Sequence, residues 1–82
     1  MTQGATTPAV CRRIREARVR RKLSQYQLSK LIDTHPSQVS QWETHHAPPV
    51  AALARIASAL GVTTDSLILG YGDEAGSGVA DG

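Results

Sequence analysis

Three histidines, a tryptophan and a glutamate fall within the twelve residues "HPSQVSQWETHH", 35–46. Imidazole and carboxylate groups are the usual material of metal sites and proton-transfer chemistry. Their spacing here argues against both. His45 and His46 are adjacent, so on regular structure they point apart, and His35 lies ten residues before His45. No Cys, Asp or Glu stands at a ligand separation such as HExxH or CxxC. No Ser-His-Asp set, phosphate loop or Gly-rich nucleotide turn occurs elsewhere in the chain. The expectation is therefore no metal, no cofactor, no catalytic residue and no enzyme. The polar dozen reads instead as the surface of a helix that touches something.

Successive residues of an α-helix are about 100° apart. On a helix from Pro36 to about Glu43, Val39 and Trp42 share one side and are expected to be buried. Ser37, Gln41 and Thr44 fall opposite, with Ser40 close by, so the outward face carries hydroxyls and an amide and no charge. A helix that merely faces solvent usually displays Lys and Glu there. Gln can pair bidentately with adenine, and Ser or Thr can donate or accept at several base edges. The ring of Pro36 could pack on a thymine methyl.

The elements that must position this face are legible from spacing and caps. From Val10 the apolar residues Val10, Ile14 and Ala17 recur at helical spacing, followed by Val19 and Leu23, which predicts a first helix to about Lys22. Ser24 is an N-cap candidate with Gln27 completing a capping box, and Leu28, Leu31 and Ile32 form the expected buried face of a short second helix. "DTHP" interrupts it: Asp33 tolerates a left-handed turn, and Pro36 suits the first position of a new helix. "THHAPP" ends the third helix and Pro49 opens a fourth, whose stripe Leu53, Ile56, Ala57 and Leu60 is closed by Gly61. Thr63 or Thr64 caps a last turn to Leu69, stopped by Gly70. The expected fold is all-α with five short helices.

The chain has 82 residues and a net charge of +2, which suits one small domain. The charge is uneven. Residues 1–60 hold all nine bases against three acids, a balance of +6, whereas residues 61–82 hold four acids and no base. Seven of the nine bases lie in "RRIREARVRRK", 12–22, and such a run is either a solvated face or the footprint of an anionic partner, nucleic acid first among them. No stretch approaches the roughly 20 apolar residues of a membrane span, and the N-terminus lacks the pattern of a secretion signal. Cys11 is the one cysteine, so an internal disulfide is excluded and a cytoplasmic location is expected. Residues 1–8 read as a flexible arm, 9–70 as the domain, and 71–82 as a disordered acidic, Gly-rich tail.

From about Ile14 to Leu69 the sequence resembles the phage-repressor and Cro-type helix-turn-helix family, often called XRE. "LSQYQLSKLIDTHPSQVSQWE" (23–43) is similar to its central pattern, and "PPVAALARIASALGVTTDSL" (48–67) to its continuation. The resemblance implies a lambda-repressor-like fold with helices two and three as the helix-turn-helix. It implies base contacts from Pro36, Ser37, Ser40 and Gln41. Contacts to the DNA backbone are implied for Gln25 and Gln38, for Gln25 with support from the positive end of its helix, and for Thr44, His45 and His46 in the loop after the third helix. It also implies an ion pair between Arg18 and Glu43, bridging the first and third helices.

The sequence departs from the family pattern in a few places. Ser29 and Asp33 stand where Ala and Gly are usual, so looser packing and a slightly strained turn are expected. His45, His46 and Ala47 replace Gly and basic residues, which weakens phosphate contacts at neutral pH, because free imidazole carries charge only below about 6.5. The electrostatic attraction is accordingly expected from Arg12, Arg13 and Arg15, or from Arg20–Lys22. The function these readings point to is a sequence-specific, double-stranded DNA-binding transcriptional regulator, a repressor acting as a homodimer on a pseudo-palindromic operator. An alternative is an antitoxin-like or corepressor module whose main partner is another protein, suggested by Leu67, Ile68, Leu69 and Tyr71 before the acidic tail.

Overall fold

Pro8 takes the N-cap position with φ −54° and ψ 144°, and α1 runs Ala9–Arg20. A computed structural model of the chain describes residues 8–70. After α1 come α2 (Gln25–Leu31), α3 (Pro36–Thr44), α4 (Val50–Leu60) and α5 (Thr64–Leu69), with no strand among the described residues. The expected arm and tail, residues 1–7 and 71–82 with Tyr71, lie outside the described residues.

Local chemistry sets each boundary. Ser24 accepts from the Gln27 amide while the Gln27 side chain accepts from the Ser24 amide, so the capping box forms as read from the sequence. Thr63, rather than Thr64, caps α5 by accepting from the Ser66 amide. Three helices end in the same way, with a left-handed residue and paired return hydrogen bonds. Gly61 does this after α4 at φ +73°, with Val62 N–H donating to the Ala57 carbonyl. After α1 the left-handed residue is Lys22 at φ +61°, and after α2 it is Asp33 at φ +60°. There Leu23 N–H returns to the Arg18 carbonyl and Thr34 N–H to the Ser29 carbonyl. The turn at Asp33 was expected; the one at Lys22 was not.

The core takes residues from all five helices, with Ile14, Leu28, Val39, Ile56 and Leu67 each at most 1% exposed. Burying a side chain of this size contributes about 1.5–3 kcal/mol. Trp42 closes the core beneath α3, and Cys11 is fully buried at the start of α1. Leu31 corrects the sequence reading: it is 60% exposed, not core. On α2 the inward stripe is centred between Leu28 and Ile32, and Leu31 lies about 80° away from that centre. Val19 is likewise exposed. Ser29 is fully buried, but its hydroxyl donates to the Tyr26 carbonyl at 2.6 Å, so the departure from Ala leaves no unmet donor.

Candidate nucleic-acid interface

The third helix lies across the first two, and its inward and outward faces divide as its sequence requires. Pro36 occupies the first turn, where a missing N–H costs nothing, with His35 as an extended N-cap. Val39 and Trp42 are buried, Pro36, Ser37, Gln41 and Thr44 are exposed, and Gln38 and Ser40 are half-buried. Among the described residues, neither Ser37 nor Gln41 makes a side-chain hydrogen bond, so both keep their full donor and acceptor capacity.

A buried carboxylate fixes the pose of this helix. Glu43, 3% exposed, accepts from Arg18 Nε at 2.6 Å and from Nη2 at 3.0 Å, a two-pronged pair between α1 and α3. Arg18 Nη1 also donates to the Leu23 carbonyl at 2.7 Å, tying in the turn before α2. Sequence reasoning did not foresee the third donor: Gln25 Nε2 reaches the same carboxylate, 3.1 Å from Oε1. One acidic group therefore joins α1, α2 and α3. The Gln25 amide, expected to meet DNA directly, is committed on one side, with its second N–H and its carbonyl oxygen remaining for an outside partner.

The loop after α3 carries a small hydrogen-bond relay. The Thr44 hydroxyl donates to the Ser40 carbonyl at 2.7 Å and lies 2.8 Å from His45 Nδ1. A hydroxyl has one proton, and the Ser40 carbonyl can only accept it. With the hydroxyl proton on the Ser40 side, the Thr44–His45 hydrogen bond uses a proton on Nδ1. His45 and His46 are both exposed. Among the described residues no group of three His, Cys, Asp or Glu could hold a metal ion.

The basic run on α1 does not form one surface. Arg12 and Arg15 are exposed, and Arg12 lies 3.7 Å from Glu16 one turn on. Arg13, expected at the DNA backbone, is committed within the chain on one nitrogen. Its Nη1 donates to the carbonyls of Ile68 at 2.8 Å and Leu67 at 3.3 Å, closing the C-terminus of α5. It lies about 140° around α1 from Arg18, the residue that faces α3. The signal that could have found this is Gly70, which at φ +92° sits so close that a Cβ there would stand 2.7 Å from the Arg13 guanidinium. The apolar triplet of α5 also divides, Leu67 entering the core while Ile68 and Leu69 are half or more exposed.

Comparison with known proteins gives the same outline. The family model described as helix-turn-helix matches residues 14–67. No curated protein matches the chain. Among solved structures, the P22 c2 repressor in complex with synthetic operator 9T is 30% identical, with a TM-score of 0.73 over 79% of this chain and 100% of that one. The clp gene regulator ClgR from C. glutamicum is 19% identical, with a TM-score of 0.70 over 76% of this chain and 82% of the other. Hydroxypropylphosphonic acid epoxidase from S. wedmorenis is 22% identical, with a TM-score of 0.69 over 79% of this chain. This chain covers only 35% of that enzyme's length, so the likeness to it is one of fold.

Proposed function

This chain belongs to the helix-turn-helix family of the phage-repressor type, and from that premise we propose that it binds double-stranded DNA sequence-specifically and regulates transcription as a repressor. The observation that carries the reading is the outward face of α3, where Ser37 and Gln41 stand exposed with hydroxyl and amide uncommitted, on a helix pinned from beneath by Glu43. Such a face offers directional hydrogen bonding without charge, which suits base edges better than phosphates. The P22 c2 repressor, similar over most of this chain, is seen with an operator, which supports DNA as the partner.

In this reading Pro36, Ser37, Ser40 and Gln41 meet bases. Gln25, Gln38, Thr44, His45 and His46 lie along the phosphates. Arg12 and Arg15 supply the long-range attraction, and Arg13 is a structural cap. Two copies place their α3 helices in successive major grooves about 34 Å apart, on an operator with approximate two-fold symmetry. The exposed Ile68 and Leu69, at the end of α5, are proposed as part of the contact between copies. That same apolar pair keeps a second reading in play, a partner protein in place of the second copy. Co-purification from the source cell separates the two. Cytoplasmic location and a non-enzymatic role belong to the same proposal.

Selection of bound fragments from random DNA, read for half-site spacing, tests the whole. Gln41→Ala is expected to relax base preference by about 1–3 kcal/mol at one position per half-site. A uniform loss across all sequences would remove Gln41 from base reading.

A further inference from the structure

Two exposed apolar surfaces of this chain are claimed neither by its core nor by α3, and they carry opposite charges. The first is a shallow groove of about 420 Å³ on the outer side of α4. Leu31, Ala54 and Ala59 form its floor, with Arg55 and Ser58 beside them. It continues past Leu31 and Ala59 to Arg21 and Lys22 in the turn after α1. Among the described residues, the side chains of Arg21, Lys22 and Arg55 make no hydrogen bond or ion pair, and no acid lines the groove. Arg20 also lines this end, but it already has an interaction of its own.

The second surface is the outer side of α5. Asp65, Ile68 and Leu69 are all exposed there. At separations of three and four residues they share one side of the helix, within an arc of about 100°, while Leu67 turns into the core. The Asp65 carboxylate has no partner among the described residues. This patch therefore offers two aliphatic side chains and an unpaired acid, where the groove offers an aliphatic floor and three unpaired cations. The two cannot meet within one chain, because α5 is packed on α1 and α4 and its end is tied to Arg13. Between two chains, groove on groove would set cations against cations, and patch on patch would bring two acids and no cation. Groove on patch joins opposite charges and covers both apolar surfaces.

We propose that the α5 patch of one copy docks on the groove of a second copy, where Ile68 and Leu69 cover Leu31, Ala54 and Ala59, and Asp65 meets the cationic rim. The inference rests on the contact between copies proposed above and names the surface that receives it. With each copy both giving and receiving, residue i meets j and j meets i, the arrangement of a closed two-fold pair. It does not depend on which base pairs α3 reads.

Mixing two variants of the full chain tests it, read by sedimentation velocity over a concentration series up to the solubility limit. Leu31→Glu sets an acid in the groove against Asp65, and Leu69→Lys sets a cation on the patch against the rim. Both positions are exposed, and thermal unfolding checks that each variant still folds. Each alone is expected to weaken self-association at least about ten-fold, because one apolar side chain is no longer buried in the contact. Mixed in equal amounts, the two are expected to regain the dimer, since an intact patch on one meets an intact groove on the other. Arg55→Glu mixed with Asp65→Lys repeats the test through charge alone. Variants that stay monomeric when mixed overturn the proposal. So does a dimer that survives Leu31→Glu but not Leu69→Lys, which keeps Ile68 and Leu69 between copies and removes the groove from the contact. A wild-type chain that stays monomeric throughout overturns both this inference and the contact between copies on which it rests.

Discussion

The most consequential single atoms in this molecule are the two carboxylate oxygens of Glu43. They accept three hydrogen bonds while almost wholly removed from water, so taking away one donor leaves a buried charge incompletely paired. Arg18→Ala is expected to cost about 3–5 kcal/mol of folding free energy in urea titration. Arg12→Ala, which breaks the half-exposed pair with Glu16, should cost no more than about 0.5 kcal/mol, and similar costs for the two would refute the distinction. Cys11 makes a second residue-scale prediction. Burial pushes its thiol up from 9.0, so the folded chain keeps the proton that the unfolded chain releases. Stability should therefore fall as pH rises above about 9, and Cys11→Ala should remove that part of the slope. At pH 8 a thiol reagent should label Cys11 only as fast as the domain opens. The Arg18–Glu43 pair was expected from the sequence by resemblance. The Gln25 donor was not, because nothing in a linear spacing of eighteen residues reveals a shared acceptor.

At the scale of elements, helix starts were more legible than helix ends. Starts are chosen by side chains with a local job: Pro8, Ser24, Pro36, Pro49 and Thr63 each stand at or next to a first turn. Ends depend on backbone angle, which glycine announces but lysine does not. Gly61 and Gly70 were readable for that reason, and Lys22 was not. A left-handed lysine is strained by about 1 kcal/mol, and aspartate by less, because its short polar side chain tolerates the conformation. Lys22→Gly is accordingly expected to raise stability by up to about 1 kcal/mol and Asp33→Gly by less. The midpoint of urea unfolding at constant m-value reads both, and the reverse order would show that the Lys22 side chain does something the turn needs. Leu31 was misread for a related reason: a seven-residue helix buries a narrow stripe, and hydrophobicity alone does not say which flank of it is covered.

For the molecule as a whole, five short helices share one core, and one helix end is held from another helix. Arg13 shows how. Its guanidinium closes α5 from α1, fifty-five residues away in sequence from Ile68. Arg13→Gln is expected to lower stability by about 1–3 kcal/mol and to leave the salt dependence of DNA binding unchanged. Arg12→Gln should do the opposite, flattening the salt slope with little effect on stability. Composition and spacing revealed the five-helix architecture, since periodicity and caps agree throughout. They did not reveal how one run of arginines divides among a helix end, a core-facing pair and solvent, because that depends on where α5 comes to rest. The frame that orients α3 and the side chains that project from it share no hydrogen bond at Ser37 or Gln41. In the proposed base-reading role of α3, exchange at those two positions should rewrite the sequence bound, and a library varied there alone should return folded proteins with new DNA preferences.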